Sequence, residues 1–268
     1  MFNMRINVFD FCAILQRCNI SIDIFSDSCY THIRKLKQEL LQLYNIQILC
    51  YNQEVHIMKK IAVVAANGRV AQKVVKEAQD RGFEVVGFGR GDENKSGAAT
   101  YTSKDIMELT KADLAGFDAV VDGFGAWTDE EQPMHVKTSQ HLCDLLSGTD
   151  TRLLIVGGAG SLYVNAEHTV QVKDGADFPA MFLPLANAQG QELEELRKRN
   201  DVKWTFISPA GDFQADGERT GKYILAGEEL TLNSKGESII SYADYAIAMV
   251  DEIESGDHIQ QRISVVRE

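Results

Sequence analysis

The chain has 268 residues, 44% of them apolar and 25% charged, enough to bury a full core in one large domain or two small ones. Its net charge of -12 argues against a nucleic-acid partner, which needs a basic face, and makes a small molecule the better ligand. No apolar stretch approaches the roughly 18 residues of a membrane span, so a soluble, cytoplasmic protein is expected.

The first 57 residues differ from the rest. Cys12, Cys18, Cys29 and Cys50 fall here, and only Cys143 lies beyond. They form no CxxC pair and have no histidine at ligand spacing, so they do not read as a zinc site. Cys143 sits within a helical pattern and reads as a buried thiol. The basic residues Arg5, Arg17, Arg34, Lys35 and Lys37 balance Asp10, Asp23, Asp27, Glu39 and Glu54, leaving this segment neutral. Asp10 and Arg17 interrupt the apolar stretch a signal peptide would need, and the acidic residues also argue against a transit peptide. Tyr30 to Tyr44 has the spacing of an amphipathic helix, which would suit a small docking element. Gln53-Glu54-Val55 can be encoded by CAG GAG GTN, which contains the strong ribosome-binding sequence AGGAGGT, with His56 and Ile57 as the spacer before Met58. The expectation is that residues 1 to 57 are translated upstream sequence; the alternative is a genuine N-terminal appendage.

The remainder, residues 58 to 268, is organised around Lys60 to Arg90. Ile61 to Val64 is a β-branched apolar run, predicting a strand buried on both faces. The turn Ala65-Ala66-Asn67-Gly68 leads into a helix with Val70, Val74, Val75 and Ala78 at helical spacing and Gly82 as its stop. Phe83 to Val86 completes a βαβ unit, the nucleotide-binding half of a doubly wound parallel sheet (Rossmann fold), with a helix N-terminus aimed at phosphate.

Further along, an extended piece at Ala99 to Tyr101 precedes a short helix, Lys104 to Leu109, capped by Ser103. Strands are predicted at Ala119 to Val121, Leu153 to Val156, Trp204 to Ile207 and Ile263 to Val266, with a weaker one at Thr169 to Val172. Pro133 begins a helix whose apolar face is Val136, Leu142, Leu145 and Leu146. A long helix covers Ala180 to Arg199, its charged run Glu192 to Arg199 reading as a solvated face. Short strands at Tyr223 to Leu225 and Leu230 to Leu232, a turn at Asn233 to Gly236 and a helix from Ser241 to Glu254 with a Ser241–Asp244 capping box form a small substrate-side elaboration.

The strong strands end in small residues: Gly123 and Gly125, then Gly157-Gly158-Ala159-Gly160, then Pro209-Ala210. In an open α/β sheet that edge holds the ligand. The three positions where a dinucleotide turn carries glycine read Ala65, Gly68 and Ala71, the first of them a departure. Arg90 ends the second strand where an acidic residue would favour NAD, and Arg69 adds a second guanidinium, so NADP(H) is favoured over NAD(H). His135, His141 and His168 lack ligand spacing, and metal catalysis is not expected. Phe88, Phe124, Trp127 and Phe213 could line a planar pocket or simply pack.

The stretches AANGRVA, DGFGAW (122 to 127), GGAGSLY (157 to 163) and WTFISPAGDF through GERTGKY (204 to 223) resemble the atypical short-chain dehydrogenase/reductases. Within them the chain is similar to the branch provisionally assigned as NADH-flavin reductases, related to biliverdin reductase B and NmrA-like proteins. The resemblance spans Met58 to Glu268. It implies a bound NAD(P)(H) and reduction of flavins, quinones or similar planar acceptors. It assigns the turn from Ala65 and Asn67 through Gly68, Arg69 and Val70 to the pyrophosphate and Arg90 to the adenosine phosphate. Phe124 and Gly125 would lie along the cofactor, Gly158, Ala159 and Ser161 beside the nicotinamide, and Pro209 and Ala210 across from them.

The Tyr-x-x-x-Lys pair of the typical enzymes is missing, since Glu167 follows Tyr163 at that spacing, and Ala210 and Gly211 replace the histidine of biliverdin-reducing relatives. Ser161 and Tyr163 remain as candidates to hydrogen-bond a substrate oxygen, with solvent supplying the proton. The leading expectation is an NADP(H)-dependent reductase, monomeric or homodimeric; the alternatives are a noncatalytic NADP(H) sensor and, more weakly, a sugar-nucleotide epimerase. For the N-terminal segment, intact mass of natively expressed protein should correspond to a start at Met58; a mass including the extension overturns that reading.

Overall fold

The structure, a computed structural model, describes residues 59 to 268. The helix expected at 30 to 44 and the status of residues 1 to 57 lie outside the described residues. Within them one sheet dominates. Its strands are β1 (Lys60–Val64), β2 (Glu84–Gly89), β3 (Thr100–Ser103), β4 (Ala119–Asp122), β5 (Arg152–Val156), β6 (Lys203–Ser208), β8 (Tyr223–Ala226) and β10 (Gln261–Arg267). They lie in the order β3-β2-β1-β4-β5-β6-β10-β8, all parallel except β8, which runs antiparallel to β10. Strand order reverses between β1 and β4, where Ile61 pairs with Val85 on one side and Ala119 on the other. That reversal opens the crevice in which doubly wound sheets bind ligands.

Alternation along each strand builds two cores. Ile61 and Val63 face α1 (Arg69–Asp80) and α4 (Tyr242–Ser255), while Ala62 and Val64 face α2 (Met134–Leu146) and α3 (Leu183–Leu196). Burial on both faces explains why these strands read as unbroken apolar runs. Two contacts then set how closely the layers approach. A Cβ on Gly123 would lie 2.9 Å from the Ala71 Cβ and 3.1 Å from the Val64 carbonyl oxygen, so α1 rests directly on the strand ends. The buried Tyr245 hydroxyl donates to the Ile207 carbonyl at 2.8 Å, fixing α4 to β6.

Several local expectations are corrected. Ser103 ends β3 and donates to Asp92; the short helix is the 3-10 turn Ile106–Glu108, and Asp105 caps it by accepting the Met107 amide at 2.8 Å. Of residues 169 to 172 only Gln171 pairs, in a single antiparallel bridge to Tyr163, because Asn165 Oδ1 collects the amides of Thr169 and Val170 and Val172 opens a 3-10 turn. Leu230 to Leu232 is irregular, whereas β7 (Asp212–Gln214) and β9 (Ile239–Ser241) pair as a small parallel ribbon that local pattern did not announce. Pro133 is the cap of α2 rather than its first residue, and the stretch 180 to 199 splits into the 3-10 turn Ala180–Phe182 followed by α3. Ser241 does cap α4, accepting the Asp244 amide, but the Asp244 carboxylate bonds the backbone of Thr220 and Gly221, so the box is half made.

Two corrections bear on function. The buried face of α2 holds His135, Thr138 and Ser139 beside Leu142, Cys143 and Leu146, and Val136 is only partly covered. Glu192, at the head of the charged run read as solvated, is 2% exposed. Among the described residues no helix is long and apolar enough to cross a membrane.

Candidate functional site

The phosphate turn follows from the end of β1. Gly68 donates to the Ala65 carbonyl at 2.9 Å and begins α1 without a side-chain cap or an acidic residue in the first turn. The first amides of α1 therefore carry the positive end of the helix dipole with no internal acceptor. A Cβ at Gly68 would come within 3.2 Å of the Ala65 carbonyl oxygen, so the backbone there stays bare for a phosphate. Ala65 occupies the left-handed region at φ 50, where the dinucleotide pattern places glycine. Asn67 is engaged in structure: its amide donates to the Glu93 carbonyl and the Tyr101 hydroxyl, and its Oδ1 accepts the Lys95 amide. It thereby ties the loop after β2 to the turn.

The two arginines are differently placed. Arg69 pairs with Asp216 at 3.0 Å and lies over the Tyr242 ring at 5.9 Å. Arg90 projects from the end of β2, 71% exposed, with Asp105 and Glu131 at 3.9 and 4.0 Å. Those separations are too long for tight pairs, and its guanidinium keeps its donors available.

Beyond the crevice, the ends of β4 and β5 supply backbone edges. Gly125 is exposed with open space where a Cβ would be. Gly157 packs on the Phe206 ring, Gly158 lies against the Gln189 side-chain oxygen, and Gly160 meets Ala186, so α3 backs this segment closely. Val70 and Ala159 are partly exposed and Pro209 is buried. The Ser161 hydroxyl is 4% exposed in its residue and accepts from the buried Arg262 guanidinium at 3.0 Å, which also bonds its carbonyl and Glu228. Tyr163 stacks on His168 with ring centroids 4.6 Å apart, and its phenol makes no hydrogen bond to another described residue. Of the aromatic candidates, Phe88 is core and Phe213 packs on Tyr242 and Tyr245. Phe124 meets the edge of His135, whereas Trp127 is 73% exposed. Met181 and Phe182, which precede α3, are exposed as well.

Under the Gly123 to Trp127 segment lies a polar cluster that hydrophobic patterning missed. Asp122 Oδ1 accepts the Phe124 amide at 2.9 Å, His135 Nε2 accepts the Ala126 amide at 3.4 Å, and Gln132 donates to the Ala126 carbonyl at 3.2 Å. His135 Nδ1 is 3.6 Å from Glu192 Oε2. Burial, then the nearby Glu192 carboxylate, pushes Asp122 up to about 7. Burial likewise raises Glu192 well above the usual carboxylate range and lowers His135. Cys143, pushed up to about 12 by burial, is an inert thiol as expected.

The parallel sheet, the bare helix N-terminus and the glycine strand ends define a nicotinamide-dinucleotide-binding protein of Rossmann type. Comparison with known proteins agrees, since the family model described as NAD(P)H-binding matches residues 65–255. The chain belongs to that NAD(P)H-binding family. It is 54% identical to a crystal structure of a Streptococcus pneumoniae protein provisionally assigned as an NADH-flavin reductase; the match covers 78% of this chain and 100% of that one, with a TM-score of 0.77. It is 41% identical over 211 residues to the uncharacterised Bacillus subtilis (strain 168) protein YwnB, covering 78% of this chain and 99% of the relative. A Bacteroides thetaiotaomicron structure provisionally assigned as an epimerase is 33% identical, covers 78% and 97%, and has a TM-score of 0.67.

Two outcomes are expected. Ala65→Gly should raise unfolding free energy by roughly 0.5–1 kcal/mol, because the left-handed penalty for alanine exceeds the added chain entropy of glycine; an unchanged or lower urea midpoint would show no strain at Ala65. For Asp122, the folded chain holds a proton that the unfolded chain releases above its ordinary value of 3.8. Stability therefore falls as pH rises from that value to about 7. Asp122→Asn should flatten the decline and raise the thermal midpoint at alkaline pH; parallel profiles for variant and parent would refute the assignment.

Proposed function

We propose that this protein is an NAD(P)H-dependent reductase that passes a hydride to a flavin, quinone or similar planar acceptor, with NADPH preferred to NADH. The observation that carries the reading is the uncapped first turn of α1, beginning at the bare backbone of Gly68 and resting on Gly123 at the strand-order reversal. These residues fit a dinucleotide, since a side chain at Gly68 would crowd the turn and the amides that follow have no internal acceptor. The bound dinucleotide supplies the hydride, and the protein orients it and shields it from water.

We assign the amides of Arg69 and Val70 to the pyrophosphate and the Arg90 fork to the 2′-phosphate. Phe124, Gly125, Gly158, Ala159 and Pro209 frame the nicotinamide side. The exposed Trp127, Met181 and Phe182 belong to segments that enter α2 and α3 at this same edge and supply flat, polarisable surface for a planar acceptor. Because Ser161 is buried and its hydroxyl oxygen accepts from Arg262, we assign the proton that accompanies the hydride to solvent, with the Tyr163 phenol as the side chain left to bond an acceptor oxygen.

The committed Ser161 hydroxyl also favours the second reading, a noncatalytic sensor of the NADP(H) pool. An epimerase is disfavoured by the missing Tyr-x-x-x-Lys pair.

Purified protein should oxidise NADPH when given FMN or a quinone. Arg90→Ala should weaken NADPH by about tenfold, the scale of one charge-assisted pair, while barely changing NADH. Equal losses for the two nucleotides would remove the NADP preference, and failure to bind either would end the reading. Tight binding of both oxidation states without turnover across an acceptor panel would establish the sensor.

A further inference from the structure

The cluster of Asp122, His135 and Glu192 has no role in the reading above, yet it lies where that reading needs rigidity. Asp122 is 1% exposed, His135 1% and Glu192 2%, and they come from β4, α2 and α3 respectively. Asp122 Oδ2 and Glu192 Oε2 are both buried without a hydrogen-bond partner. Among the described residues no lysine or arginine forms an ion pair with either carboxylate.

Two bare carboxylates in one dry space are a costly arrangement, because neither charge is solvated or paired. A single proton changes the chemistry. A protonated carboxyl carries no charge, so its burial without a partner then costs the layer far less. His135 cannot serve in its place without a structural cost. Its Nε2 already accepts the Ala126 amide, which fixes the ring proton on Nδ1, facing Glu192. A second ring proton would abolish that acceptor and release Ala126.

Beyond Gly123, whose amide donates to the Val64 carbonyl, the backbone above is held by this layer. Asp122 takes the Phe124 amide, His135 takes the Ala126 amide, Gln132 holds the Ala126 carbonyl, and Phe124 rests on the His135 ring with centroids 5.1 Å apart. With those groups bonded inward, Gly125 is left facing outward with open space at its Cα. We propose that Asp122, His135 and Glu192 form a protonation-dependent latch that holds the Gly123 to Trp127 segment in its dinucleotide-facing position, and that losing a buried carboxyl proton, which leaves an unpaired charge in the layer, loosens it. Asp122, His135 and Glu192 are thus positioning residues acting through the backbone of Phe124 and Ala126.

The groups facing the latch are few. From α2 come His135, Ser139, whose hydroxyl bonds Glu192, and the neutral thiol of Cys143 in the field of Asp122; from α3 comes Glu192, and from β4 Asp122. Burial raises both carboxyls, and the Glu192 charge adds to the rise at Asp122, so protons that ordinary carboxylates shed in acid are held until pH approaches neutrality and are lost on the alkaline side.

The inference rests on the dinucleotide reading of the site, and the test separates the two. Dinucleotide affinity is measured across roughly pH 6–9 for the parent and for Glu192→Gln, which mimics the protonated carboxyl. NADH is used beside NADPH because the 2′-phosphate titrates itself, near pH 6. The parent should lose about tenfold in affinity for both nucleotides on the alkaline side, a coupling of ordinary size, while Glu192→Gln holds its affinity. Exchange of the Phe124 and Ala126 amide hydrogens, relative to their intrinsic rates, should quicken over the same range in the ligand-free parent and stay fixed in the variant.

Superimposable profiles for two folded proteins overturn the latch while leaving the binding reading intact. No binding at any pH, with the faster Phe124 and Ala126 exchange present only in the parent, overturns the dinucleotide reading and leaves the latch standing. Should Glu192→Gln fail to fold, infrared spectra of the parent decide: a buried protonated carboxyl band that fades with rising pH supports the latch, and its absence at neutral pH overturns it.

Discussion

The site depends on how closely the first turn of α1 approaches the ends of β1 and β4. Ala71 and Gly123 meet with no room for another carbon, and the Val64 carbonyl lies just beneath. That approach requires small residues on both sides of the contact. It brings the uncapped amides of α1 to the edge where strand order reverses, so the anion-attracting helix end and the open crevice coincide. The strained Ala65 is part of the same constraint, because the chain must turn sharply between a buried strand and a helix lying directly on it.

A second constraint acts from the opposite face. The α1 and α4 side buries the Arg152–Glu252 pair with Thr205 against the sheet, while the α2 and α3 side carries His135, Ser139, Asp122 and Glu192, with no lysine or arginine paired to its carboxylates among the described residues. Buried polar groups of this kind are tolerated where they bond backbone that has no other partner. Here they bond the segment after β4, which cannot join the sheet ladder because it has already left the strand. The polar layer replaces β-pairing as the device that orders this stretch of backbone.

Arg262 performs a comparable task on the other flank. Its buried guanidinium joins β10 to Ser161 and Glu228, so the segment after β5 and the elaboration before β10 are held by one side chain. Ordering Ser161 in this way buries it and occupies one acceptor site on its hydroxyl, so a residue expected at the reaction centre also serves the scaffold. Asn67 follows the same logic, being spent on the loop after β2. Backbone, more than side chains, is what this site presents to a dinucleotide.

The amino-acid sequence by itself determined the alternation of buried strands and amphipathic helices, the Rossmann order and the small residues at each strand end. Those features are local: apolar periodicity and turn chemistry depend on neighbours a few residues apart. Arg90 was legible for the same reason, as the residue that follows β2. Only the tertiary structure decided the rest. The β7–β9 ribbon, the partnership of Ser161 with Arg262 and the burial of Glu192 each join residues far apart in the chain. A charged run such as 192 to 199 carries no mark of which member turns inward; the packing of α3 against α2, which sets Glu192 opposite His135, supplies it.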